Sequence, residues 1–279
     1  MKNSNCRLFY EDYKEQISNS LERLEFAYNV SQRNYSKPLY IAFSGGKDSV
    51  CLYGLASLLA IKFNKSLNEI ASFHYNITNL DPPELVSFVK KEYKEVILEQ
   101  PKKTIWQMIE EKGMPPTRLI RYCCVNLKEV RVNDVVLITG VRWQESIRRK
   151  NQRGIIEYST DKNKRRDVIK TDNTEERREI ENCMKFNQLI VNPIVDWSED
   201  LVWYFIEQNN LKYCPLYDKG YKRLGCIGCP MAGPKQRLKQ FENYPKYKEQ
   251  FLRTFDRMIK KHNTTWKSAE ECFNWWIKK

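Results

Sequence analysis

Histidine is nearly absent: only His74 and His262 occur in 279 residues. His74 sits in a strand-like run and His262 follows a helical one, so no catalytic histidine stands out. No apolar stretch approaches the roughly 18–20 residues of a membrane span. Met1-Lys2-Asn3-Ser4-Asn5-Cys6 leads into a charged helix and not an apolar secretory core, so a cytoplasmic protein is expected. No repeat and no low-complexity tract is visible. Acidic residues are outnumbered, 35 Asp and Glu against 48 Lys and Arg, a net charge of +13. Such a surplus favours polyanionic partners, chiefly nucleic acid, although it also serves solubility beside a nucleotide substrate. Nine cysteines, an odd number, do not suggest a disulfide framework. Some of them should be metal ligands or reactive thiols, and the rest buried fillers.

With 41% hydrophobic and 13% aromatic residues, the chain can bury a substantial core. Strand-like runs fall at Leu39–Phe43, Ile70–Tyr75, Glu95–Leu98, Val135–Thr139 and Leu189–Ile194. Helical patterns fall at about 9–33, 49–62, 83–93, 104–112, 124–132, 198–209, 234–261 and 268–278. The alternation predicts an α/β fold with a doubly wound parallel sheet and a helical, cysteine-containing C-terminal extension. Residues 1–212 are expected to form a nucleotide-binding domain, with 213–279 packed on it. Residues 148–182 are charged and poor in apolar groups, and predict a long, mobile basic insertion.

The most informative junction is Ser44-Gly45-Gly46-Lys47-Asp48-Ser49, which follows Leu39-Tyr40-Ile41-Ala42-Phe43 and precedes a helical pattern. Two glycines let backbone N–H groups face an anion, and the following helix adds its positive end. Lys47 adds a point charge, and Ser44 and Ser49 add hydroxyls. The P-loop spacing is not met, because Asp48 follows Lys47 and no glycine stands at position 41.

Cys123-Cys124 and Cys226-Ile227-Gly228-Cys229 form a second constellation. A Cys-x-x-Cys pair on a glycine turn plus a second pair supplies four thiolates, enough for a cubane iron–sulfur cluster. Zinc would also accept four thiolates, but adjacent cysteines diverge and suit a bulkier cluster better. Cys6, Cys51, Cys183, Cys214 and Cys272 read as packing or loop thiols.

Loop and cysteines in this order resemble the phosphoadenosine phosphosulfate (PAPS) reductase family, among the ATP pyrophosphatases. Further matching stretches are Thr78-Asn79-Leu80-Asp81-Pro82-Pro83-Glu84, Arg118-Leu119-Ile120-Arg121-Tyr122, Gly140-Val141-Arg142-Trp143-Gln144-Glu145-Ser146, Asn192-Pro193-Ile194-Val195-Asp196-Trp197 and Pro215-Leu216-Tyr217-Asp218. The resemblance implies an adenine nucleotide alpha-hydrolase-like fold and a [4Fe–4S] cluster on Cys123, Cys124, Cys226 and Cys229. It implies ATP phosphates on Ser44, Gly45, Gly46, Lys47, Asp48 and Ser49, with Gly140 and Arg142 completing the pocket. Asp48, Lys47 and Arg142 are the implied catalytic groups, with Mg²⁺ at Asp48.

Reductases of the family carry a Glu-Cys-Gly-x-His segment whose cysteine attacks the sulfate. Here Glu271-Cys272 continues as Phe273-Asn274, without the glycine or the histidine. The chain is therefore more similar to the branch that activates a DNA backbone phosphate with ATP for phosphorothioation, with a cysteine desulfurase as sulfur donor. A tRNA target is a variant of that reading. Arg118, Arg121, Arg148 and Arg149 are candidate backbone contacts. A sulfonucleotide reductase and a non-catalytic nucleic-acid-binding member of the fold are the competing readings.

Overall fold

The computed structural model describes residues 3–128, 132–159, 167–173, 175, 180 and 188–279, with side chains from residue 13 onward. Cys183, the Cys6 thiol and the basic runs 162–166 and 176–179 lie outside the described residues. The described chain divides into two compact units. One comprises residues 1–75, 88–97 and 132–215 and is called here the sheet unit. The other comprises residues 76–87, 98–131 and 216–279 and is called the thiol unit.

A seven-stranded sheet organises the fold, its strands β1 (Leu39–Ala42), β2 (Ala71–Asn76), β3 (Val96–Glu99), β4 (Val136–Ile138), β5 (Ile156–Ser159), β6 (Asp167–Ile169) and β7 (Gln188–Val191). Their order is β3-β2-β1-β4-β7-β5-β6. β1 pairs parallel with both β2 and β4, and β4 pairs parallel with β7. From β1 the sheet grows outward in both directions, which is the expected doubly wound arrangement. Parallel strands buried by helices read as apolar runs, and Leu39, Ile41, Val136 and Ile138 are fully buried. Helix α1 (Asn3–Tyr35) packs on β1, β4 and β7 and also on α2 (Lys47–Phe63). Further helices along the chain are α3 (Leu67–Ile70), α4 (Pro83–Glu92), α5 (Ile105–Lys112), α6 (Tyr122–Leu127), α7 (Ile147–Gln152) and α8 (Glu199–Gln208), which packs on α2.

The expected mobile insertion at 148–182 is corrected where it is described. Residues 147–152 form α7, and β5 and β6 make an antiparallel hairpin whose inner strand pairs antiparallel with β7. Charge hid this hairpin. Glu157 is 2% exposed, yet its Oε1 accepts from Arg153 Nε at 2.6 Å and from Asn192 Nδ2 at 2.7 Å. A buried carboxylate is tolerable once it is paired and hydrogen-bonded. Gly154 is required before β5, since a Cβ there would lie 2.3 Å from the Ile169 carbonyl oxygen.

The thiol unit holds α9 (Pro234–Asn243), α10 (Pro245–Lys261) and α11 (Ala269–Lys278), with α5 and α6 from earlier in the chain. The single helix expected over 234–261 is two helices. Pro245 has no N–H to donate and disfavours helical backbone at the residue before it, and Tyr244 indeed leaves the helix at φ −127°, ψ 64°. The core of this unit is aromatic: Trp276 packs on Phe251 at 4.6 Å and edge-on to Phe255 at 5.5 Å between ring centres.

Candidate functional site

The sheet unit places its chemistry at a topological switch point. Because β1 and β4 are neighbours while their following connections diverge, the segments after both strands meet at the carboxyl edge, where ligands of open α/β sheets bind. Phe43, just past β1, bonds its N–H to the His74 carbonyl at 2.9 Å. Gly45 then takes φ +69°, a left-handed turn that a side chain disfavours. Gly46 caps α2 without any side-chain cap bond. Val50 N–H bonds back to Gly46 O at 3.0 Å. Helix geometry therefore leaves the N–H groups ahead of Val50 without intrahelical acceptors, an anion-binding end. Ser49 Oγ donates to Gly46 O at 2.8 Å and receives Ser44 Oγ at 3.3 Å, which braces the turn.

The segment after β4 closes on this loop. Arg142 is 3% exposed, and its Nε donates to Asp48 Oδ1 at 2.6 Å. Its Nη1 donates to Trp197 O and Gln144 Oε1, each at 3.2 Å. Gly140 permits the approach: a Cβ there would stand 3.3 Å from the Asp48 backbone, tighter than ordinary contact. Lys47 is buried, and its Nζ lies 3.6 Å from Glu199 Oε1 at the start of α8. Glu199 and Gln144 were not singled out from the sequence as site residues. The acidic run after Trp197 was the available signal, but it reads equally well as a helix cap, which Ser198 also supplies. Behind the loop, burial and then the Asp48 charge push the Cys51 thiol well up, so it stays a neutral core group.

The thiol unit assembles the second constellation. The loop from Thr78 to Asp81 is tied by Thr78 N–H to Asp81 Oδ2 at 2.7 Å, and Ile227 N–H reaches Leu80 O at 2.7 Å. Thr78 Oγ1 stands 3.5 Å from Cys226 Sγ. Gly228 turns the Cys-x-x-Cys segment at φ +72°, and a Cβ there would clash with Phe241 at 2.5 Å. None of the four expected ligands, Cys123, Cys124, Cys226 and Cys229, is in a disulfide, and all four are half-buried. Their mutual influence is evident at Cys123. Its thiol is pushed far up by a hydrogen bond with Cys124, by burial, and by the charges of Cys124, Cys226 and Cys229. At Cys226 burial raises the thiol while Lys128 opposes. Among the described residues, no three or more His, Cys, Asp or Glu side chains are gathered closely enough to hold a metal ion. The structure thus brings the four cysteines into each other's electrostatic reach without a coordinated set.

Arg237 brings a buried cation to this unit. It is 1% exposed and stacks 4.1 Å over Trp276. Its Nη1 donates to Trp276 O at 2.8 Å and Ile277 O at 3.2 Å. Its Nε and Nη2 are buried without a hydrogen-bond partner among the described residues. Burial and the charge of Arg118 disfavour this cation, and the charge of Cys229 favours it. A buried guanidinium with two open N–H groups beside a thiol suits a negatively charged thiolate centre.

The four arginines expected on a nucleic-acid backbone are divided between the two units. Arg118 and Arg121 belong to the thiol unit, and Arg148 and Arg149 to the sheet unit. Arg118 donates to Met231 O at 3.3 Å, Arg148 to Gln152 at 3.0 Å, and Arg149 pairs with Glu145.

Residues 38–232 match the phosphoadenosine phosphosulfate reductase domain. The chain is 30% identical over 256 residues to an uncharacterized protein of Methanocaldococcus jannaschii, covering 84% of this chain and 53% of that relative. It therefore spans about half the length of that curated relative. An adenosine 5'-phosphosulfate reductase of Oceanobacillus iheyensis is 24% identical over 227 residues, covering 79% of this chain and 82% of the relative. Among solved structures, a phosphoadenylyl-sulfate reductase from Candida auris in complex with phosphate superposes with a TM-score of 0.46 at 16% identity, covering 76% of this chain and 89% of that one.

Proposed function

This chain belongs to the phosphoadenosine phosphosulfate reductase domain family, and on that premise we propose that it cleaves ATP between the α and β phosphates to adenylate a nucleic-acid backbone phosphate, DNA before tRNA, for sulfur incorporation. The observation that carries the reading is the buried Arg142–Asp48 pair at 2.6 Å, set against a glycine turn that ends in an open helix N-terminus. The triphosphate lies over Ser44–Ser49, with Lys47 and Arg142 neutralising the charge that grows on the pyrophosphate as it leaves. Gly140 lets the segment that carries Arg142 close on Asp48.

In the first step a non-bridging oxygen of the backbone phosphate attacks the α-phosphorus of ATP. The α–β anhydride bond breaks and pyrophosphate departs with the bond electrons. In the second, the outer sulfur of a persulfide, supplied by a cysteine desulfurase, attacks the activated backbone phosphorus, and AMP leaves. A thiol then opens the sulfur–sulfur bond, giving a disulfide and the phosphorothioate. Asp48 offers a carboxylate oxygen not taken by Arg142, a hard donor suited to Mg²⁺, which when bound neutralises phosphate charge. Cys123, Cys124, Cys226 and Cys229 would hold a [4Fe–4S] cluster, and Arg237, a buried cation that the Cys229 charge favours, would offset its negative charge. The cluster would supply a redox-active, sulfur-rich centre.

Reduction of a sulfonucleotide is the second reading, favoured by relatives such as the Oceanobacillus iheyensis reductase. Against it stands Cys272, the thiol nearest to the reductase motif. It is fully buried in α11, and burial followed by the charge of Glu271 lifts its pKa to about 12. Such a thiol is a poor nucleophile at neutral pH.

Anaerobically prepared protein, incubated with ATP, a DNA duplex, a cysteine desulfurase and cysteine, should release pyrophosphate and AMP, and more of both with DNA than without. Sulfite from PAPS or adenosine phosphosulfate, with no pyrophosphate from ATP, would overturn the assignment in favour of the reductase.

A further inference from the structure

The thiol unit contains a pocket of about 740 Å³ that the proposed ATP chemistry does not use. One wall is a single face of α9: Gln236, Lys239, Gln240 and Asn243 follow the three-and-four spacing that aligns side chains along a helix. The other wall is the loop from Leu216 to Arg223, which adds Lys219, Lys222 and Arg223. The loop is pinned by Tyr221 N–H on Leu216 O at 3.2 Å, and Gly220 takes φ +83° to make its turn.

Charge here is one-sided. Lys219, Lys222, Arg223 and Lys239 are exposed, against one carboxylate in the lining, Glu84. Glu84 is already engaged, accepting the Tyr244 hydroxyl at 3.1 Å. Among the described residues, Lys219, Arg223 and Lys239 have no ion-pair partner. Two aromatic rings complete the lining: Tyr221 and Tyr244 are half-buried, and their hydroxyls share one network with Asn243 and Glu84. The pocket is also tied to the thiols, because Gln240 Oε1 accepts the Gly228 N–H of the Cys-x-x-Cys turn at 2.9 Å.

We propose that this pocket binds a single-stranded segment of nucleic acid, its phosphates on Lys219, Lys222, Arg223 and Lys239 and a base against Tyr221 and Tyr244. Cations along a groove with aromatic platforms form the usual chemistry of single-strand recognition. Four cations exceed what one free phosphate requires, and a free nucleotide already has its cradle at Ser44–Ser49. The inference deepens the proposed function and rests on it: it names where the nucleic-acid substrate is held, on a wall shared with the Cys226–Cys229 turn.

The test is fluorescence anisotropy of a labelled 20-mer oligonucleotide with the full chain over a series of salt concentrations. Lys219→Glu/Arg223→Glu/Lys239→Glu should weaken single-strand binding by roughly tenfold or more. Its slope of log affinity against log salt should fall by about 2, given ~0.7 for each single-strand phosphate that is no longer neutralised. A control reversal of three exposed lysines of the same unit, Lys102→Glu/Lys112→Glu/Lys261→Glu, should do far less. Tyr221→Leu should weaken the single strand more than a duplex. ATP binding by calorimetry should be unchanged in the pocket variant, which also reports that it folds. If the wild type binds the oligonucleotide and the pocket variant binds equally well, or the control loses as much, the pocket assignment is wrong while the nucleic-acid reading stands. Equal competition by AMP and by unlabelled oligonucleotide makes the occupant a free nucleotide and overturns the strand. No binding by the wild type overturns both the pocket and the nucleic-acid substrate, whereas strand binding without DNA-stimulated pyrophosphate release overturns only the enzymatic reading.

Discussion

Arg142 Nε lies 2.6 Å from Asp48 Oδ1, joining the segment after β4 to the first turn of α2 across 94 positions of sequence. The Arg142 side chain is 4% exposed and that of Asp48 22%. Removing one partner strands the other charge. Asp48→Asn and Arg142→Gln should each cost about 3–5 kcal/mol, and the double variant should be less destabilised than their sum, with a coupling of about 1–3 kcal/mol. Urea denaturation measures all three. Strict additivity would mean that the pair carries no coupling. Both single variants should also lose pyrophosphate release from ATP.

Gly54 in α2 is a position where helix propensity and packing oppose each other. Alanine there would normally gain about 1 kcal/mol. A Cβ, however, would lie 2.7 Å from Leu211 Cδ1 and 2.8 Å from Phe205 Cε1. Overpacking should win, so Gly54→Ala is expected to destabilise by roughly 1–2 kcal/mol net. A rise in thermal midpoint would show that Leu211 and Phe205 yield freely.

The cysteines divide into two sets by burial and neighbours. Anaerobically purified wild type is expected to be brown and to carry about four iron atoms per chain. Cys226→Ser and Cys124→Ser should lose most of that iron, while Cys272→Ser keeps it. About one zinc per chain in place of iron would identify the tetrahedral alternative. Iron loss equal in Cys272→Ser would undo the division.

Cys272 also predicts a pH dependence. Its thiol is raised from 9.0 to about 12 by burial and by Glu271. Above pH 9 the unfolded chain releases this proton while the folded chain keeps it, so the native state binds more protons and stability falls as pH rises from 9 toward 12. The contribution is complete below pH 9. Between pH 9.5 and 10.5, Cys272→Ala should flatten the decline by up to ~1.4 kcal/mol per pH unit. Identical slopes in both proteins would place the thiol in solvent.

Much of the scaffold was legible locally. Among the described residues, five of the seven strands overlap the apolar runs, because a buried parallel strand must be apolar. The β5–β6 hairpin was not legible, since Glu157 and Arg153 look solvated until Asn192 of a distant segment is placed beside them. The break at Pro245 was legible from proline chemistry but was overridden by an amphipathic pattern that continues across it.

Sequence alone determined the glycine turn at Ser44–Ser49 and the helix that follows it, since turn residues and an open helix end are properties of neighbours in the chain. It determined the four thiols as two pairs, and the family to which they belong. Tertiary structure decided that Arg142 and not another arginine meets Asp48, because that contact exists only once β1 and β4 lie side by side. It also decided that Cys272 is sealed in an aromatic core, and that Lys219, Arg223 and Lys239 face one pocket, because burial and convergence depend on which surfaces pack.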